Sequence, residues 1–216
     1  MKKCAVLLSG CGVYDGSEIH EAVCTLLALD KAGVAYQCVA PDIEQHHVIN
    51  HLTGEEMPET RRVLVEAARI ARGNIKSLKD VDPASFDALI LPGGFGAAKN
   101  LSDFAFKHTD MTIDPSVLAF CRAFAQAKKP VGFICIAPTL ISQIYGPGVH
   151  VTIGNDKATA QALEKMGAVH ENAAVNECVV DKAHKVVSVP AYMLAKSIGE
   201  VQSGIEKLVE RVFAHF

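Results

Sequence analysis

Short unbroken apolar runs punctuate the chain at residues 4–9, 34–40, 86–91 and 130–134. Runs this short, without alternation, predict strands buried on both faces of a sheet. Between them the periodicity lengthens. Over residues 58–73, Val63, Leu64, Ala67, Ala68 and Ile70 are interleaved with Arg61, Arg62, Glu66, Arg69 and Arg72, the pattern of an amphipathic helix with a solvated basic face. Further helices are predicted over 18–31, capped by Ser17 and closed at Gly33, and over 115–127 behind an Asp114-Pro115 start. Two more are predicted over 156–167 and from Pro190 to about residue 214. Minor strands are expected at 74–81 and 150–154, and a hairpin near a sheet edge at 175–181 and 185–189. Strands alternating with helices imply an α/β fold: a flavodoxin-like, doubly wound parallel sheet covered on both faces. No internal repeat, low-complexity segment or linker divides the chain, so residues 1–216 are expected to form a single domain.

The run ending at Ile134 leads straight into Cys135, and residues 136–144 have helical character. A strand that ends on a nucleophile and turns sharply into a helix is the nucleophile elbow, where the turn exposes the side chain. A helix N-terminus behind it favours negative charge, which predicts a lowered thiol pKa. The alternative is a buried core cysteine. A second loop, Pro92-Gly93-Gly94-Phe95-Gly96, also follows a strand, and its glycines can turn backbone N–H groups toward a developing oxyanion. A tight turn without chemistry would use the same residues. The first loop carries Gly10, Gly12 and Gly16, one residue off the dinucleotide-binding spacing, so these glycines are read as letting backbone pass close to a site. Loops 10–21, 92–100 and the one at Cys135 all follow strands and can meet at one mouth, where ligands of such folds sit.

Composition narrows the functional classes. The chain has 216 residues, half of them apolar, and a net charge of -3, which excludes bulk attraction to nucleic acid or an anionic membrane. Seven cysteines without a paired spacing indicate a reduced protein, expected in the cytoplasm. The apolar start breaks at Ser9-Gly10, so it is read as a strand rather than a signal peptide. His46, His47 and His51 lie in a polar stretch without a recognised ligand spacing; they are read as loop histidines, and no metal site is expected.

Taken together, the first loop from Ser9 to Glu21, residues 48–54, the stretch Pro92 to Asn100 and Cys135-Ile136-Ala137-Pro138 resemble the PfpI-like superfamily. That group also holds the Parkinson-linked deglycase-type proteins and is related to class I glutamine amidotransferases. The resemblance implies Cys135 as nucleophile and Glu21 as the glutamate that hydrogen-bonds to it, with Glu18, one turn earlier, as second choice. It implies an oxyanion hole from Gly93, Gly94 and Ile136. Cys11, Tyr14 and Asn100 are candidates for lining the site. Many relatives carry a histidine directly after the cysteine, where this chain has Ile136. Others bring one from the following strand, at a position corresponding to Gly154. No His-x-Glu follows Cys135, which argues against an amidotransferase. The activity implied is a cofactor-free glyoxalase converting glyoxal to glycolate, acting on a small dicarbonyl or aldehyde. The alternative is a redox-sensing or regulatory protein of isoprenoid metabolism with an oxidisable cysteine. A homodimer is a further implication, without nucleic acid or membrane partners.

Overall fold

The computed structural model describes residues 1–214. Nine strands are present among them: β1 (Lys3–Leu7), β2 (Ala35–Ala40), β3 (Ile75–Ser77), β4 (Ala88–Leu91), β5 (Val131–Ile134), β6 (His150–Val151), β7 (Val169–His170), β8 (Val179–Asp181) and β9 (Val186–Val189). The main sheet runs β3-β2-β1-β4-β5-β9-β8, with every neighbour parallel except the pair β8 and β9. The run β2-β1-β4-β5-β9 is the five-strand flavodoxin-like order, extended by the short parallel strand β3 at one edge and the antiparallel strand β8 at the other. The helices are α1 (Ile19–Lys31), α2 (Val63–Ile70), α3 (Phe95–Lys99), α4 (Phe104–Lys107), α5 (Pro115–Gln126), α6 (Ile141–Tyr145), α7 (Lys157–Lys165) and α8 (Ile198–Ala214).

The strands read as continuous apolar runs because both faces are covered. Leu7, Leu89, Leu91 and Phe133 pack on one side with Phe120 and Phe124 of α5. Val6, Leu8, Ile90 and Ile134 pack on the other with Leu29 of α1 and Leu208 and Val212 of α8. Successive strand residues point to opposite faces, so the central strands β1, β4 and β5 are apolar toward both layers. No helix among the described residues is long and apolar enough to cross a membrane.

Several boundaries differ from the sequence reading, each for a local reason. Glu18, not Ser17, caps α1: its carboxylate accepts the Glu21 N–H at 2.7 Å. Ser17 instead accepts the Ser9 N–H at 2.8 Å, tying the end of β1 to the first loop. Helix α2 starts only at Val63, because Arg62 is extended and bridged to Glu44, and Ile49 is bridged to Glu56. Residues 42–62 thus form a pinned loop. The Gly-rich stretch after β4 continues into α3, although its glycines carry the weakest helix propensity short of proline. The helical stretch after Cys135 is split into a 3-10 turn, Ala137–Leu140, and α6. The strand expected at 150–154 is shorter and pairs with β7 in a separate parallel ribbon. Pro190 opens a 3-10 turn, Ala191–Met193, rather than the last helix. Helix α8 begins after Ser197, whose hydroxyl accepts the Glu200 N–H at 3.3 Å.

Strand β1 lies between β2 and β4, so the loops leaving the carboxyl ends of β1 and β4 diverge there. A crevice at such a reversal is where open α/β sheets bind ligands. The loop after β5 opens beside it.

Candidate active site

Cys135 follows the last residue of β5 and has φ +62°, a left-handed conformation that costs a non-glycine residue about 1–3 kcal/mol. Its N–H donates to the Val189 carbonyl at 3.0 Å, which prolongs the β5–β9 ladder by one residue. The chain then turns at once into Ala137–Leu140, with the Thr139 hydroxyl donating to the Ile136 carbonyl at 2.8 Å. Strand pairing on one side and a compact turn on the other hold the strained residue in place. The backbone of the elbow expected from the sequence is therefore formed, but the side chain is not exposed as expected: Cys135 is buried.

Glu21 lies in the first turn of α1 and is fully buried. Its Oε2 accepts the Gly93 N–H at 2.9 Å, its Oε1 accepts the Tyr192 N–H at 3.2 Å, and its carboxyl hydrogen-bonds with the Cys135 thiol. Burial, reinforced by the charge of Glu18, pushes the Glu21 carboxyl up to about 8. Burial and the neighbouring Glu21 also push the Cys135 thiol well above its ordinary value, against the N–H groups of Gly94 and Ile136, which pull it down. The lowered thiol pKa expected from a helix N-terminus is not found. The elbow runs into a short 3-10 turn rather than a long helix, and desolvation outweighs its few aligned dipoles.

The expected oxyanion donors separate into two kinds. The Gly93 N–H is taken by Glu21, while those of Gly94 and Ile136 are directed at Cys135. Gly93 and Gly94 are glycines because the site leaves no room. A Cβ on Gly93 would lie 2.4 Å from the Cys135 Cβ, and one on Gly94, at φ +95°, would lie 2.3 Å from the Glu18 backbone N.

The residues expected to line the site divide as well. Glu18 is at the mouth, with its carboxylate serving as the helix cap. Cys11, Tyr14 and Asn100 are not among the cleft-lining residues. Cys11 is half-buried among the charges of Glu66, Arg69 and Asp15. Tyr14 stacks on His51 with ring centroids 4.9 Å apart. Asn100 is a loop staple: its Nδ2 donates to the carbonyls of Ser9 and Asp15, and its Oδ1 accepts the His46 N–H. The longer first loop thus packs Tyr14 and Asp15 against residues 46–51 and reaches the cleft through Val13 instead of Cys11 or Tyr14. His46 and His47 pack on Phe106. The glycines of the first loop bond internally, Gly12 N–H to Ser17 and Gly16 N–H to Gly12, and α3 caps them through Gly96 N–H to Gly16 at 2.8 Å. These groups are used for packing and are not presented to a phosphate.

Cys135 forms the floor of a cleft of about 520 Å³. Much of its wall was not foreseen: Phe104, Ala105 and His108, the Ala158–Ala162 face of α7, and Tyr192 with Met193. Tyr192 follows β9, the strand beside β5, so its place at a carboxyl end was the available signal; reading Pro190 as a helix start hid it. His20 Nδ1 and the Tyr192 hydroxyl are 2.7 Å apart. Nothing in the sequence singled out His108. At Gly154 a side chain is excluded, since a Cβ there would lie 2.8 Å from Leu194.

Residues 11–191 match the DJ-1/PfpI family. The chain belongs to that family. A rat protein named ES1 protein homolog, mitochondrial, is 44% identical over 218 residues, covering 96% of this chain and 82% of that one. The crystal structure of an isoprenoid biosynthesis protein with an amidotransferase-like domain, from Ehrlichia chaffeensis, superposes with a TM-score of 0.92 at 37% identity, covering 99% of this chain and all of that one. These likenesses agree with the similarity of the first-loop and Pro-Gly-Gly motifs to the ElbB type within the DJ-1/PfpI family. Glyoxalase III from Candida albicans shares the fold, with a TM-score of 0.63 at 15% identity over 100% of this chain and 97% of that one.

Proposed function

We propose that this DJ-1/PfpI protein is a cofactor-independent glyoxalase acting on a small dicarbonyl, with glyoxal to glycolate as the reference reaction. The observation that carries this reading is the contact of the Cys135 thiol with a fully buried carboxyl group whose pKa is raised to about 8. Such a pair loses its first proton from Glu21 at about pH 8, so near neutral pH a minor carboxylate fraction beside the thiol is the base that accepts and returns protons in the cycle.

Glu21, as carboxylate, takes the thiol proton while Sγ bonds to an aldehyde carbon and the carbonyl π electrons move to oxygen. The Gly94 and Ile136 N–H groups, directed at Cys135 in the free protein, would hold that oxyanion. Glu21 protonates it, giving the hemithioacetal, and then removes the hydrogen of the sulfur-bearing carbon. Reprotonation of the neighbouring carbon through the ene-diol leaves a thioester. Water hydrolyses it to glycolate and restores the thiol. The aldehyde carbon is oxidised and its neighbour reduced, so the reaction balances without an external electron acceptor.

Burial works against the regulatory alternative. An oxidisable sensor cysteine is a thiolate exposed to solvent, whereas the Cys135 thiol has a raised pKa and is 8% exposed. The isoprenoid role belongs to the name of the Ehrlichia protein and does not identify a reaction here. All seven cysteines are free, in keeping with a reducing compartment. The cytoplasm is one such setting, while the name of the rat relative places that protein in mitochondria. A homodimer is retained as part of the proposal.

The deciding experiment measures glycolate formed from glyoxal by the purified protein beside Cys135→Ala. Cys135-dependent turnover supports the reading; turnover indifferent to that substitution, or none, overturns it.

A further inference from the structure

Glyoxal is two carbons and two oxygens, and the cleft above Cys135 holds about 520 Å³. Cavities of about 300–1,000 Å³ are the size that encloses much larger organic ligands. Of the polar groups of this cleft, Glu18, Tyr192 and the backbone of Gly94 belong with the elements around the thiol, while His108 follows α4 and Thr159 sits on α7. Apart from those two side chains, its far walls are apolar: Phe104 and Ala105 from α4, and Ala158 and Ala162 from α7, with Met193 also lining the cleft. The cleft stays open because alanines stand at positions 98, 105, 158 and 162, where larger side chains would fill it. No lysine or arginine lines it, and its carboxylate, Glu18, is already the cap of α1. An anionic substituent would meet no fixed cation there, only the His108 ring and the Thr159 hydroxyl, and would lose most of its hydration.

We propose that the preferred substrates are neutral 2-oxoaldehydes bearing an apolar chain, the dicarbonyl end at Cys135 and the chain lying between α4 and α7. The inference rests on the carbonyl chemistry proposed above and names its substrate class. The reaction is R–CO–CHO plus water giving R–CH(OH)–COO⁻ and a proton. Sulfur bonds to the aldehyde carbon, Glu21 moves the hydrogen from that carbon to the former ketone carbon, and water releases the acid from the thioester. One carbon is oxidised and its neighbour reduced, so no further reactant is needed.

The test is a series of straight-chain substrates with the same reacting end: glyoxal, methylglyoxal, 2-oxobutanal, 2-oxohexanal and 2-oxooctanal, followed by formation of the 2-hydroxy acid. kcat/KM should rise by about fourfold for each methylene buried, until the cleft is full. An analogue of the hexanal length ending in a carboxylate should fall below its neutral counterpart. Flat or falling values along the series, with glyoxal turned over in a Cys135-dependent way, overturn the substrate class and leave the chemistry standing. Absence of turnover across the whole series, glyoxal included, overturns the chemistry and the inference with it.

A variant places the chain. Ala162→Phe should lower the ratio of kcat/KM for 2-oxooctanal to that for glyoxal by about tenfold or more. A thermal melt confirms that the variant is folded. If it does not fold, Ala158→Leu, one turn nearer the start of α7, gives the same readout. An unchanged ratio in a folded variant overturns the placement of the chain.

Discussion

Glu21 Oε2 accepts the backbone N–H of Gly93 at 2.9 Å. This bond joins the first turn of α1 to the turn after β4, and the same carboxyl group reaches Cys135 at the end of β5. Three strand ends are thereby fixed relative to one another through one side chain. Position and chemistry are coupled, since the proposed acid/base group is also the strut.

Removal of either member of the pair should separate these roles. Cys135→Ala is expected to lower turnover of glyoxal by at least about a thousandfold. Glu21→Gln, which keeps the shape, should cost about 10²–10⁴-fold, the usual worth of a positioned acid/base. Both are read as glycolate formed per unit time, with circular dichroism to confirm the fold.

Stability should carry the signature of Glu21. Its pKa is about 8 when folded, against 4.5 for the ordinary side chain, so between those values the folded state holds a proton that the unfolded state has released. The contribution of this group is therefore greatest below about pH 4.5, declines as pH rises to about 8, and then levels off. Melting temperature measured across pH 5–9 should fall more steeply for the wild type than for Glu21→Gln. Parallel curves would contradict the raised pKa.

Gly93→Ala should be among the more damaging single-methyl additions. Its Cβ would meet the Cys135 Cβ at 2.4 Å and Glu21 Oε2 at 2.7 Å, where overpacking costs about 1–3 kcal/mol. Activity should fall together with stability. Gly199→Ala, in α8 with its nearest neighbour 3.9 Å away, serves as the comparison and should be neutral or slightly stabilising. Urea denaturation of the two variants measures the difference.

Thiol reactivity should follow the burial of Cys135. Alkylation by iodoacetamide should be slow at neutral pH and increase into the alkaline range, because the raised pKa keeps the group as thiol. Peptide mass spectrometry locates the label. Rapid, selective labelling or peroxide oxidation of Cys135 at neutral pH would favour the sensor alternative instead.

The sheet and the elbow were legible because their signals are local. Burial on both faces writes itself as uninterrupted apolar runs, and Cys135 stands at the end of one. Gly93 and Gly94 were legible for the same reason: a glycine pair directly after a strand marks a backbone too crowded for side chains. The pKa of Cys135 was not. Desolvation depends on what packs above a residue, and Tyr192, Met193 and α4 arrive from distant parts of the chain. Cys11 and Tyr14 were misplaced because the course of a loop is decided by partners such as His51 and Asn100, which no periodicity announces.

The residues that act on the reacting carbonyl in the proposed cycle sit at strand ends of the main sheet or, for Glu21, in the first turn of α1 packed against them, while much of the wall facing the rest of the ligand comes from α4 and α7, outside the sheet. The two sets answer to different constraints. Strand ends are locked by the ladder and by the strain at Cys135, whereas a short surface helix can exchange one alanine for a bulkier residue at little cost to the core. A chain divided in this way can diversify what it accepts while its reaction stays constant. Related genes would then differ first in the alanines, and only much later in the cysteine and glutamate beneath them.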